Sequence, residues 1–359
     1  MKNTLYLSIL AAALMGGQVF ADVIPTVLEG ISFTSGSLHA GANNPSGEAS
    51  GGNVSISYSA TGSDYFTAQV YGGRGVTATS NKVTMTGGLV NQLLGGRGET
   101  SASGNTVIMT GGSVRSVRSG SGNNVSGFAS GNVAIVAGDC EITGALYGGG
   151  AVKNATANDN KVYLVGKGAT ATIADAQGNT AAYTGGTISV GAVYGGITGS
   201  SSTSTGTKEG NSIDIYGTGI TAAEMACMQI LNFHIADGVL LSQEAMVSLT
   251  STTTSGALDL TGVEIGFNAA DVQDWGAYEG QSITLVNAVQ AITVGEGSMG
   301  EVAIKGADGA TVATATLGLG NENKSLVLSN IKGTAPVPEP TTGTLGLLAL
   351  AGLCIRRRK

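Results

Sequence analysis

The chain has 359 residues, 59 of them Gly; only 11% are charged and the net charge is −7. Collagen is excluded, since it needs Gly at every third position with abundant Pro, and here five Pro occur, none between residues 46 and 335. With 42% hydrophobic residues the chain is not disordered. A helical bundle is excluded as well, because Gly costs about 1 kcal/mol relative to Ala in a helix interior. An extended β protein rich in turns remains.

The N-terminus reads as a secretory signal over residues 1–21. Lys2 supplies the positive start, Leu5–Met15 the apolar stretch, and Val19-Phe20-Ala21 a small-residue site with cleavage expected after Ala21.

The middle of the chain repeats itself. Asn81-Lys-Val-Thr-Met-Thr-Gly-Gly88 returns as Asn105-Thr-Val-Ile-Met-Thr-Gly-Gly112. Looser copies begin at Asn132, Asn160, Asn179 and Asn211. The period is about two dozen residues, as stacked repeat units require. Each unit reads as two short alternating strands joined by Gly-Gly, with one face buried against the next unit. Asn81 and Asn105, with Asn160, are expected to form an interior amide row. Freedom from Pro fits, because every interior rung must donate hydrogen bonds. The unit length and Gly-rich corners, over roughly residues 50 to 220, resemble the parallel β-solenoid of autotransporter-type adhesin passengers. A β-sandwich or the blades of a small propeller are the alternatives. The expected organisation is a Gly-rich repeat at 22–220, a C-terminal β region or cap at 221–333, a linker at 334–340, and a membrane segment with basic tail at 341–359. Within the cap region Ala222–Ile230 reads as briefly helix-like, strands follow from Leu231 to Leu328, and Ala307–Ala310 reads as a hairpin turn.

The tail has three parts: Pro338-Glu339-Pro340, the apolar run Leu345–Ile355, and Arg356-Arg357-Arg358-Lys359. The apolar run is short for a span, which wants about 20 residues, and the basic cluster belongs on the cytoplasmic side. This combination resembles the PEP-CTERM sorting signal. The resemblance implies an exosortase-type sorting peptidase acting near the triplet, with transient inner-membrane association. It further implies delivery to the cell surface or extracellular matrix of a Gram-negative bacterium. Without Lys2, Arg356, Arg357, Arg358 and Lys359, 12 basic residues face 24 acidic ones. The mature body is distinctly acidic, which argues against nucleic acid as a partner.

Catalytic and metal chemistry find little support. His39 and His234 have no ligand spacing. Gly72–Gly75 and Gly95–Gly98 lack the Asp of calcium-binding nonapeptides and the Lys-Ser/Thr of a phosphate loop. Asp271 and Asp274 form a close carboxylate pair, with Asp159, Glu209 and Asp214 scattered, so the two-carboxylate arrangement of glycoside hydrolysis is not evident. The spacing of Cys140 and Cys227 does not decide whether they pair. Arg74, Arg97 and Arg118 recur at unit spacing and are expected either to form a basic ladder for anionic glycan or to serve as solvated corners. The resulting expectation is an exported, non-enzymatic, adhesin-like or structural protein without cofactor or metal. Its partners would be signal peptidase, the sorting peptidase and extracellular polysaccharide or host glycan. A carbohydrate-active β-helix lyase or hydrolase, and a matrix protein with no discrete ligand, are the alternatives.

Overall fold

The computed structural model describes residues 26–28, 37–57, 69–123, 127–151, 155–198, 207–242, 244–270, 272 and 274–334. The expected signal (cleavage after Ala21) and sorting tail (Pro338 to Lys359, with its apolar segment) lie outside these residues. Strands dominate, and nearly all join one large sheet. Among the described residues no helix is long and apolar enough to cross a membrane.

Two parallel ladders carry the architecture. In the first, Thr26–Leu28, Asn53–Ile56, Lys82–Met85 and Thr106–Met109 pair in succession, followed by the start of Val133–Ala151. Lys161–Val165, Ser212–Tyr216, Ile230–Ile235 and Glu264–Ala269 continue it. In the second, Ser37–Ser50, Gln69–Thr79, Leu89–Ser103, Gly112–Gly122 and Val133–Ala151 pair in succession. Thr180–Thr198, Ile220–Ala226, Val247–Leu249 and Ile283–Ala288 follow. The chain therefore alternates between ladders, and each strand lies beside its counterpart one repeat away.

Side-chain alternation builds the core between the ladders. Val83, Val107, Ala134, Val162, Ile213 and Leu231 form one inward column; Met85, Met109, Val136, Leu164, Ile215 and Phe233 form another. Val70, Leu93, Val117, Leu146, Val193 and Met225 face them from the second ladder. Burying one such aliphatic side chain stabilises by roughly 1.5–3 kcal/mol, so the columns run the length of the molecule as its main apolar support.

The register runs straight through residue 220. Ala222, expected to be helix-like, lies in the strand Ile220–Ala226, because the core column of the preceding rung dictates its conformation over its local propensity. Antiparallel pairing takes over only at the end. Gly300–Lys305 and Thr311–Gly320 form a hairpin, and Ser325–Gly333 pairs with both Thr311–Gly320 and the last rung, Ile283–Ala288. The hairpin turn stands where it was expected: Ala310 N–H donates to Asp308 Oδ1 (2.9 Å), and Gly309 has φ +79°. A short 3-10 turn, Trp275–Tyr278, buries both of its end residues beside this cap.

Two departures from regularity are informative. Pro45 sits in Ser37–Ser50 within a register irregularity between Asn44 and Glu48, where a missing N–H costs no ladder bond. Asn179, expected to open a repeat unit, does not. Thr170–Ala174 pairs antiparallel with Thr180–Thr184, making a hairpin whose loop contains Asn179. This hairpin lies over the outer face of the first ladder, and its Ala169, Ala171 and Ile173 bury Ile108, Val133, Ile135 and Val165 in a second, smaller core. Its tip is fixed by Lys82 Nζ to Asp175 Oδ2 (3.1 Å) and by Ala176 N–H donating to Thr106 Oγ1 (3.0 Å).

Candidate functional sites

Three groups of polar side chains recur or converge: an inner amide row, an outer aromatic and arginine row, and a cluster around Asp214.

The inner row comprises Asn81, Asn105, Asn132, Asn160 and Asn211, each completely buried. Each Nδ2 donates to the next residue's Oδ1 (2.9–3.0 Å from Asn81 to Asn211) and to a carbonyl of the preceding coil. Each backbone N–H donates to the same next Oδ1. Gln229 Oε1 closes the row at one end, accepting from Asn211 Nδ2 (3.1 Å); Gly52 N–H donates to Asn81 Oδ1 (2.9 Å) at the other. Every amide is satisfied, as burial demands.

Two backbone features seat this row. The residue before each Asn takes a left-handed conformation: Ser80, Gly104, Gly131, Asp159 and Gly210, with φ between +55° and +64°. Opposite each Asn lies the last Gly of a bend, namely Gly73, Gly96, Gly120, Gly149 and Gly196. A Cβ at any of them would come within 2.4 Å of the Asn side chain. Thus one Gly of each bend is explained by the amide it faces, whereas its predecessor at Gly72, Gly95 and Gly148 lies against a carbonyl of the neighbouring coil.

The outer row contains Tyr71, Leu94, Arg118, Tyr147 and Tyr194, in register from rung to rung. The Arg118 guanidinium lies 4.6 Å from the Tyr147 ring centroid, and Tyr147 stacks on Tyr194 at 5.3 Å. Tyr194 donates its hydroxyl to Glu224. Burial first, and then Glu224, push the Tyr194 phenol well above its ordinary range.

The three arginines expected to stack do not share a column. Arg74 is in register with Arg97, but the next residue in that column is Ser121. Arg118 lies three positions earlier, because it precedes its bend (Ser119-Gly120) whereas Arg74 and Arg97 follow theirs. Aligning the units on the bend Gly would have separated them and revealed the Tyr-Gly-Gly signature of Tyr71, Tyr147 and Tyr194. Arg97 is also engaged within the fold. Its Nη1 donates to Tyr71 OH (3.0 Å), and with the Asn123 amide turned toward it, its Nε donates to the Asn123 oxygen (2.7 Å).

The third group lies on the outer face of the first ladder, beside the hairpin. Asp214 is buried and accepts from Ser212 Oγ, Asn232 Nδ2 and His234 Nε2, each at 3.0 Å. The His234 ring stacks on Tyr216 at 3.8 Å. Burial, reinforced by the Asp214 charge, pushes the Tyr163 phenol up to about 12. Three donors thus converge on the carboxylate, Ser212 on Oδ2 and Asn232 and His234 on Oδ1, as burial of an acceptor demands. Among the remaining carboxylates, Asp274 Oδ1 accepts from Gly276 N–H (2.9 Å) as the cap of its 3-10 turn, and Asp271 lies outside the described residues. Among the described residues no three metal-binding side chains converge.

Cys140 and Cys227 are both free. Cys140 is in register with Ile188, which is in register with Ile220, and Cys227 lies seven residues after Ile220, just past the end of that strand. At ~3.3 Å per residue the two are on the order of 20 Å apart, far beyond the ~7 Å Cα limit for a disulfide. Burial, followed by Asp139, pushes the Cys140 thiol up to about 12, which leaves it unreactive.

The model of the PEP-CTERM protein-sorting motif matches residues 336–359, which include the triplet Pro338-Glu339-Pro340 and the basic end Arg356–Lys359. The match supports an exported, membrane-sorted chain processed by an exosortase-type peptidase. No curated protein and no solved structure matches the chain.

Proposed function

We propose that the protein is a non-enzymatic, rod-like structural or adhesin-like protein whose body is a parallel β-solenoid and whose tail delivers it to the cell surface or extracellular matrix of a Gram-negative cell. The observation that carries this reading is the internal satisfaction of its repeated polar groups. The amide row hydrogen-bonds to itself from Gly52 to Gln229. Such a row supports rigidity and length, which a projecting or matrix-embedded element needs. The sorting motif at 336–359 supplies the address.

Anionic glycan binding through Arg74, Arg97 and Arg118 belongs to this proposal in a reduced form. Arg74 and Arg97 share a column, Arg97 is held by Tyr71 and Asn123, and Arg118 lies over an aromatic ring. The Arg97 and Arg118 guanidinium groups thus lie against side chains of the fold's own outer face. A glycan array combined with a reducing-end release assay tests the reading. Binding without product, or neither, agrees with a structural or adhesin-like rod; release of new reducing ends overturns it in favour of a lyase or hydrolase. A parallel test replaces Pro338, Glu339 and Pro340 by Ala. The expected result is a chain retained unprocessed in the membrane, and unchanged processing would remove the sorting role.

A further inference from the structure

We infer that the antiparallel cap is the face against which the sorting peptidase works, so that only this end of the rod comes near the membrane during processing. The inference rests on the sorting reading above and adds an orientation and a contact surface to it.

Thr334 N–H donates to Val312 O (3.0 Å), and Thr334 Oγ1 to the same carbonyl (2.9 Å). One residue earlier, Gly333 packs against Trp275 so closely that an added Cβ would lie 2.9 Å from the Trp275 Cβ. Pro338 follows Thr334 by four residues. A fully extended chain covers at most ~3.6 Å per residue, so the triplet lies no more than about 14 Å from the cap. The rod's other end is far beyond that reach. Nine rungs of the second ladder separate Ser37–Ser50 from Ile283–Ala288, inclusive. At about 4.8 Å per rung the distance is about 40 Å.

A peptidase that reaches the triplet must therefore meet the exposed cap residues around the chain exit. These are Asn330 and Lys332 on the last strand, Asp274 and Glu279 beside the Trp275 turn, and the hairpin turn at Asp308-Gly309. That hairpin turn adjoins the exit directly, because Thr334 bonds to both Thr311 and Val312 at its base.

The test inserts one small folded domain into the full-length chain at either of two exposed turns, where insertions are tolerated best. One site is Asp308-Gly309 in the cap; the other is Gly51, at the far end of the rod. Processing is read as the fraction of chain trimmed at its C-terminus in cells that carry the peptidase. Resistance of the body to protease is measured on every variant, so that misfolding is seen separately. The expected result is a several-fold loss of trimming for the cap insertion and none for the Gly51 insertion. A Gly/Ser spacer of about 15 residues after Thr334, reaching about 50 Å when extended, should restore trimming of the cap variant. Equal trimming of both insertion variants, or a loss at the cap that the spacer does not relieve, overturns the inference. If Glu339→Ala leaves trimming of the otherwise native chain unchanged, the sorting reading itself falls, and the inference falls with it by a different signature.

Discussion

The inner amide row and the outer aromatic and arginine row share a period, a set of rungs and a sheet, yet they obey different rules. Inside, five successive positions hold the same residue and the sixth is Gln229, which presents the same amide oxygen. Outside, Tyr71, Leu94, Arg118, Tyr147 and Tyr194 occupy equivalent positions with three chemistries. The difference lies in what each neighbour needs. An inner amide must accept two hydrogen bonds from one side and donate on the other, so only one side-chain shape passes the relay on. An outer side chain needs only a flat or flexible surface to lie against, which a ring, an aliphatic chain or a guanidinium provides equally well.

The largest effect should come from breaking the relay in its middle. In Asn132→Ala the Asn105 N–H and one Nδ2 hydrogen of Asn105 lose their acceptor, the Ala102 carbonyl loses a donor, and Asn160 Oδ1 keeps only the bond from the main-chain N–H of residue 132. At roughly 1–3 kcal/mol for each stranded buried group, partly relieved by water, the loss is about 3–5 kcal/mol in urea unfolding. A smaller loss, about 1–3 kcal/mol, is expected for Gly149→Ala, whose Cβ would press on the Asn160 amide at 2.4 Å. If both variants cost less than the outer-row change below, the contrast between the rows collapses.

The outer surface should respond to acid first at the hairpin. Burial by itself would raise the Asp175 carboxyl. Hydrogen bonds from the Asn179 side chain and backbone, and then Lys82, outweigh it and hold the group below its ordinary value. A depressed folded value means that stability is present above the unfolded pKa, near 3.9, and is lost as pH falls through the folded value. Hydrogen exchange should therefore show Thr170–Thr184 opening on acidification before the ladders do, and Asp175→Asn should remove that pH dependence. Arg118→Gln removes the contact with Tyr147 and should cost about 0.5–1 kcal/mol, with no change in exchange at the amide row. The smallest change sharpens the inner row from its backbone side. Ser80 holds φ +55° where its equivalents at Gly104, Gly131 and Gly210 are Gly. Ser80→Gly should raise stability by about 0.5 kcal/mol, the relief of left-handed strain less the entropic penalty of Gly.

Much of the stack was legible in the sequence because its physical demands are local and repeated. Asn followed by alternating apolar residues, and Gly-Gly before the next bend, are each imposed by a neighbour one repeat away. The hairpin was not legible for the same reason. Gly178-Asn179 repeats the corner signature, with Gly178 at φ +83°, yet the Asn179 amide turns to Asp175 and closes a loop. Two residues cannot tell a corner of the stack from the tip of a hairpin laid across it. The outer row was hidden by the attention that charge draws: the arginines stood out, while the tyrosines that order the column did not. The Asp214 cluster was scattered along the chain and is assembled only by the pairing of Ser212–Tyr216 with Ile230–Ile235.

Pro45 has a meaning beyond its own rung. A molecule whose units add by parallel pairing is one step from a fibre, because the edge that accepts the next internal unit would accept another chain equally well. At the C-terminal end the antiparallel strands fill that edge. In the first long strand a proline stands in an interruption of the register, the kind of irregularity that spoils an edge as a template. An irregular first strand and an antiparallel last one both oppose edge-to-edge pairing of copies along the second ladder.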